Sequence, residues 1–243
     1  MSDVVKNLSE ILKLIGKVEG CKEDKVIAGL EGVDTRKTFF EKLANSLRVY
    51  YLGIDIIFIV EKVLKNVNFS SFDLSSDEKK NVENAGWILD EKYLAEYESI
   101  LKMNLINDCW VCFESTLRDI FYVKKFENYK SSIYSIYTDK IFCRNGRKNN
   151  DNEEFLKFFG ACRNAMHNNS IYAPTYSTKE LCEYKFNGHS KPLTLEENKK
   201  IDFIYNDTIL EMIDKLSDVA LNMLGNIDYP GLIGDRYNSI LKN

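Results

Sequence analysis

The feature that most constrains this chain is a pair of long segments in which apolar residues return every three or four positions. In the first, Arg36 to Asn66, the set Phe39, Leu43, Leu47, Tyr50, Ile54, Ile57 and Val60 keeps the spacing of one helix face. The middle of this segment is apolar almost all round, which predicts a central helix. In the second, for which Asp90 can serve as the cap, Leu94, Tyr97, Leu101, Leu105, Cys109, Cys112, Thr116 and Ile120 mark one stripe over roughly eight turns. These two helices are expected to form the scaffold of an all-α fold. Only 3 Pro and 12 Gly punctuate 243 residues, too few for the frequent turns of a sandwich or barrel and unlike a disordered chain.

The remaining elements follow from the same signals. Val5, Leu8, Leu12 and Ile15 predict a short first helix, broken by Gly16 and Gly20. Ser75 followed by Glu78 reads as a capping box opening a shorter helix. Tyr129 to Phe142 fits another short helix, and Arg144 to Asn152 a polar loop. Asn150 with Glu153 starts a helix whose stripe is Phe155, Phe158, Phe159, Cys162 and Met166, and Asn168-Asn169 can end it in the left-handed conformation. Glu183 to Phe186 and Lys191 to Leu195, around Asn187-Gly188, predict a β-hairpin. Thr194 with Glu197 reads as a second capping box, beginning a last helix that carries Ile201, Ile204, Thr208, Met212, Leu216, Val219 and Met223 up to Gly225. The organisation expected is an N-terminal helical extension, residues 1–89, packed on a helical domain, residues 90–243.

Several function classes are disfavoured at this level. The apolar run Tyr50 to Val60 is about half the length of a bilayer crossing and contains Asp55, so it predicts a buried helix and no membrane association. Met1 to Lys6 lacks the pattern of a secretory signal, and six irregularly spaced cysteines fit a reducing compartment, so a cytoplasmic location is expected. A formal net charge of -4 argues against a broad electropositive surface, so any nucleic-acid contact must be local.

Cys109 and Cys112 have the spacing of redox dithiols and zinc sites. They lie mid-stripe in a helix, with no second ligand pair in the sequence, so they are expected to pack as small hydrophobes with no metal. His189, beside Asn-Gly in the expected hairpin turn, reads as solvated. Lys140, Arg144, Arg147 and Lys148, interleaved with Tyr134, Tyr137 and Phe142, can track a nucleic-acid backbone and stack bases; with Asp151, Glu153 and Glu154 following at once, a solvated loop fits them better.

The remaining constellation is Cys162-Arg163-Asn164-Ala165-Met166-His167-Asn168-Asn169. Arg163 and His167 are four apart and therefore share a helix face with Leu156 and Gly160, on the flank of the apolar stripe. Gly160 costs a helix about 1 kcal/mol relative to Ala, and its bare position would let another helix or a substrate backbone approach. Imidazole exchanges protons near neutral pH and guanidinium matches a phosphate. The chemistry that fits is RNA cleavage by the 2′-hydroxyl without a cofactor. The same residues also fit an ordinary helix end, with two cations at the C-terminal dipole and an Asn cap.

Arg163-Asn164-x-x-His167-Asn168-Asn169, ending a helix in a helical chain and followed by a hairpin and another amphipathic helix, resembles the HEPN superfamily over Asp90 to Gly225. The resemblance implies a helical bundle with a small hairpin before its last long helix, and a homodimer that brings two motifs into one cleft. It also implies a metal-independent ribonuclease of toxin–antitoxin or antiviral defence systems, with an antitoxin or defence protein as partner. By that resemblance Arg163 would hold the phosphate, Asn164 would be the polar residue following it, and His167 the acid or base. The nuclease signature has four to six residues between Arg and His, whereas this chain has three, a form it shares with HEPN-like proteins of unestablished activity. Asn168 would support the motif. Glu114 and Arg118 could face it and orient Arg163, or form an i, i+4 ion pair. The alternative function is a catalytically silent helical module that binds a partner protein or RNA.

Overall fold

The computed structural model describes residues 2–66, 75–78, 80–81, 91–123, 133, 136, 150–168, 170–174, 181–201, 206–227, 231 and 233–234. Helix α1 (Ser2–Gly20) leads through a 3-10 turn (Cys21–Glu23) into the short α2 (Lys25–Ala28). The long helices α3 (Thr35–Asn66) and α4 (Glu91–Val123) follow, then α5 (Asn150–His167). An antiparallel pair, β1 (Leu181–Tyr184) and β2 (Leu193–Glu196), precedes α6 (Asn206–Gly225). The protein is mostly helical, as its periodicity predicts.

Helices α3 and α4 run antiparallel. Thr35 at the start of α3 meets Asp119 near the end of α4, while Gly53 faces Leu101 so closely that a Cβ there would lie 2.5 Å from Leu101 Cδ1. Helix α1 packs on α3 and α6, and α5 packs on α4. Ile11, Val18, Phe39, Leu43, Phe113, Phe159 and Leu216 belong to one buried cluster, so helices from both sides of residue 89 share a single core. Each such side chain contributes about 1.5–3 kcal/mol by leaving water.

A polar knot lies inside this core. Arg36 is 1% exposed, and its Nε and Nη2 donate to the two carboxylate oxygens of Asp34 at 2.9 and 2.8 Å. Asp34 also accepts from the backbone N–H groups of Arg36 and Ile233, Arg36 Nη2 donates to the Gly231 carbonyl, and Thr35 donates to Asp119. The backbone N–H of Thr35 donates to the Ile233 carbonyl at 2.7 Å. The start of α3, the end of α4 and the chain near residue 233 are thereby tied at one point. By length and composition Thr35–Lys62 could cross a bilayer. Its first half is packed into the core, with Arg36 enclosed and Phe39, Phe40, Leu43 and Leu47 fully buried.

Five expectations change. Helix α1 continues through Gly16 to Gly20, and its buried face is Ile11, Leu14, Ile15 and Val18, leaving Leu12 exposed. The outer half of α3 is not buried all round: Val49, Leu52, Ile56 and Ile59 face solvent. Thr194 caps no helix; it sits in β2 opposite Glu183, to whose carboxylate it donates, and α6 is described over Asn206–Gly225, with Ile204 outside the described residues. A β-branched residue followed by an acid satisfies both patterns, and strand pairing decides. Ser170, with φ 65°, holds a left-handed position after α5 and Asn168 does not, while Asn169 lies outside the described residues. His189 is not free in solvent, since its Nε2 lies 2.7 Å from Glu211 Oε2 on α6. The Ser75–Glu78 box forms reciprocally, and Asn150 opens α5, as expected. Asp90 and the segments 129–132, 137–149 and 235–243 lie outside the described residues.

Burial alone would raise the Asp34 pKa, but the hydrogen bonds from Arg36 and the Ile233 N–H, with the Arg36 charge, outweigh it and hold the carboxyl below its ordinary value. A depressed folded-state pKa stabilises the fold fully above the unfolded value of about 3.9 and loses that contribution as pH falls through the lower folded value. Asp34→Asn should therefore cost about 3–5 kcal/mol at neutral pH, because Arg36 stays buried without its counter-charge. Urea denaturation measures this, and the deficit should narrow as both proteins are acidified below about pH 4. A neutral-pH loss under about 1 kcal/mol would remove the pair from the account of stability.

Candidate functional site

Helix α5 opens with Asp151 and Glu153 in its first turn, where carboxylates meet the positive end of the helix dipole. Phe155, Phe158, Phe159 and Cys162 turn into the core. The neighbouring flank, Leu156, Gly160, Arg163 and His167, faces α4, and exposure rises along it from buried Leu156, through half-buried Gly160 and Arg163, to exposed His167.

At Gly160 the α5 backbone packs directly against Trp110 of α4. A Cβ there would lie 3.0 Å from Trp110 Cη2. The indole stacks on Phe159, with centroids 5.7 Å apart and planes 19° apart, and tilts against Phe113 at 5.9 Å. Gly160 thus receives a helix, as its bare position allows, and that helix is the chain's own α4.

One turn further on, Arg163 Nη1 donates to Asn164 Oδ1 at 3.1 Å. Arg163 Nε is buried with no acceptor among the described residues. At the next turn His167 Nε2 lies 3.1 Å from Asn107 Oδ1, on α4 one turn before Trp110. Since an amide oxygen only accepts, Nε2 is the donor in this contact.

The exit from α5 is fixed by its own bonds. The Asn168 N–H donates to the Ala165 carbonyl, and its carbonyl accepts from Ile171. Left-handed Ser170 directs its hydroxyl at Met103 Sδ, 3.6 Å away, and its carbonyl accepts from the Ile201 N–H. Tyr172 exchanges backbone bonds with the 198–199 turn after β2. The hairpin is held in turn by Tyr184, which donates to Asp151 Oδ1 at 2.9 Å, while Lys215 of α6 donates to Asp151 Oδ2.

The structure brings Arg163, Asn164 and His167 together, with Asn168 directly after them. Arg118 donates to Glu114 through Nε and Nη2, the i, i+4 pair. Since Trp110 faces Gly160 and Asn107 faces His167, α4 and α5 are antiparallel, and Arg118 lies about 16 Å along α4 from the level of Asn107. Lys140, Arg144, Arg147 and Lys148 are outside the described residues. Asn107 was missed by the sequence reading; its one trace there is that Asn104, Asn107 and Asp108 interrupt an otherwise apolar run.

Cys109 is fully buried and Cys112 half-buried; burial pushes both thiols up, the Cys109 thiol furthest, opposite to the shift of a reactive dithiol. Among the described residues no three His, Cys, Asp or Glu side chains gather as a metal-binding group. Comparison of the chain with protein-family models, curated proteins and solved structures gives no match.

Gly160→Ala opposes two effects. Helix propensity favours Ala by about 1 kcal/mol, while the added methyl presses on Trp110, which is backed by Phe159 and Phe113. Overpacking of this kind costs about 1–3 kcal/mol, so the variant should be less stable by roughly 1 kcal/mol in urea denaturation. A more stable variant would show that the indole has room to retreat.

Proposed function

We propose that this protein is a HEPN-like, metal-independent endoribonuclease. The observation that carries the reading is the placement of Arg163 and His167 one turn apart at the open end of α5, the imidazole exposed and its Nε2 held by Asn107. His167 Nδ1 takes the proton of a ribose 2′-hydroxyl as the 2′ oxygen bonds to the adjacent phosphorus. The bond from phosphorus to the 5′ oxygen breaks, water protonates that oxygen, and a 2′,3′-cyclic phosphate remains. Arg163 supplies a permanent charge and directional donors for the phosphate oxygens. Asn164, accepting from Nη1, holds the guanidinium, and Asn107 positions the imidazole.

On this reading the basic residues Lys140, Arg144, Arg147 and Lys148 contact the RNA strand, and the protein is a cytoplasmic toxin or defence effector restrained by a partner protein. A second reading, a silent module that binds RNA or protein through the same flank, is favoured by one observation: Arg163 is partly withdrawn between α4 and α5, its Nε already buried.

Incubation of the purified chain with RNA in EDTA separates the two. The nuclease reading expects cyclic-phosphate ends, and at least a 100-fold loss on His167→Ala, the scale of general-base catalysis. Since His167 is exposed, circular dichroism and denaturation should be unchanged. Cleavage that persists in His167→Ala removes the imidazole from the mechanism, and a wild type as inert as the variant assigns the flank to binding alone.

A further inference from the structure

Ser170, three residues beyond His167, holds a backbone conformation that its type rarely adopts. Its φ of 65° lies in the left-handed region, where a Cβ crowds the backbone and glycine or asparagine is the usual occupant. The segment it pairs with imposes that angle: the Ser170 carbonyl accepts from the Ile201 N–H at 2.8 Å, and Tyr172 exchanges bonds with Asn198 and Lys199. Glycine would make the same turn at lower cost, so the side chain is what serine adds there. Strain of this kind persists where the surrounding structure enforces it, and it gathers at functional sites.

The hydroxyl is aimed but weakly engaged. Among the described residues it meets two thioether sulfurs, Met103 Sδ at 3.6 Å and Met166 Sδ at 3.9 Å, and sulfur is a poor acceptor. Met103 lies four residues before Asn107 on the same face of α4, and Met166 directly precedes His167. The three side chains therefore form the next step of the α4–α5 seam beyond the imidazole, and none of them is fully enclosed. Thioethers pack well against an aromatic ring, and a hydroxyl can both give and accept a hydrogen bond at the rim of one.

We propose that Ser170, Met103 and Met166 hold one nucleobase, that of the nucleotide whose ribose gives up its 2′-hydroxyl proton to His167. This rests on the reading of the α5 end as an RNA site and adds how the RNA is recognised there. The base packs on the two sulfurs, the Ser170 hydroxyl bonds to a polar atom at its edge, and the ribose spans the one helical turn to the imidazole. A base stacked and paired in a duplex cannot offer its face to side chains, so the substrate class this site selects is single-stranded RNA. A hydroxyl serves donors and acceptors alike and methionines adapt in shape, so the contact distinguishes an unpaired base from a paired one more than one base from another. Ser170 is a specificity-determining residue and takes no part in the proton transfer.

The test uses 2′-O-methyl ApA, a dinucleotide that cannot be cleaved and whose single phosphate fixes the register, and the same compound lacking its 5′ base. In methyl NMR spectra of the full chain the ε-methyl signals of Met103 and Met166 should shift with the dinucleotide and stay still with the abasic compound, while those of the buried Met212 and Met223 move with neither. Ser170→Gly should weaken dinucleotide binding about tenfold, within the scale of one stacked base, and leave binding of the abasic compound unchanged. Its midpoint in urea should be no lower than that of the wild type, because glycine relieves the left-handed strain. A lower midpoint accompanying the loss of binding would assign Ser170 to structure alone and overturn the proposal. A dinucleotide that shifts the His167 ring but neither methionine overturns it too, and leaves the nuclease reading in place. Shifts at both methionines in a protein that cuts no RNA retain it and remove the nuclease.

Discussion

The candidate site depends on one packing contact, the face of Trp110 against the bare backbone of Gly160. It sets how closely α4 and α5 approach at the middle of α5. The indole is pinned by Phe159 and Phe113, so the distance is set by rigid rings and not by side chains that can reorient. From that point the helices run on for two turns toward the end of α5. Asn107, three residues before Trp110, falls opposite His167, seven residues after Gly160, and the imidazole is held by a group whose position is itself held by the core. The first residues a substrate would meet therefore rest on aromatic packing some 10 Å along the helix axis.

The Asp34–Arg36 knot serves a different purpose. A buried ion pair adds little net stability, because desolvation of both charges offsets their attraction. Its value lies in what cannot be exchanged for it. The Asp34–Arg36 bonds are local, but the knot is complete only when the Gly231 carbonyl and Ile233 N–H reach it and Asp119 of α4 lies beside Thr35. Apolar contacts along α3 and α4 would tolerate a slip of one turn, since each stripe repeats every three or four residues. The polar knot does not tolerate it, and so fixes the register in which Gly53 meets Leu101.

Periodicity was enough to read the long helices, because each buries a stripe with a helical repeat: Phe39, Leu43, Leu47, Tyr50, Ile54 and Ile57 are all buried, as are Leu105, Cys109, Thr116 and Ile120, while Tyr97 of the second predicted stripe is exposed. The Arg163–His167 pairing was legible for the same reason, since four residues make one turn. What the sequence hid was whatever depends on a second element. Nothing local distinguishes Thr194-Leu-Glu-Glu in a strand from a capping box; the difference is Glu183 on the other strand. His189 looked like a turn residue because Glu211, twenty-two positions on, cannot be placed beside it before the hairpin folds back on α6. Asn107 belongs to the same class. The all-round apolar middle of α3 misled in the opposite direction, since composition reports that a face is apolar and not whether anything covers it.

The unequal depths of Arg163 and His167 are themselves informative about what each can do. With three residues between them, Arg163 and His167 stay on one face, offset by about 40° and one turn. Exposure rises along the flank, so the guanidinium is half-buried while the imidazole is exposed with Asn107 of α4 still in reach. A guanidinium never loses its proton, so partial burial leaves its charge intact and strengthens its pull on an anion by removing water. An imidazole that must take and release protons needs the wet position. Reversing the order along the helix would place the titrating group in the half-buried position and the fixed charge in bulk solvent, weakening both.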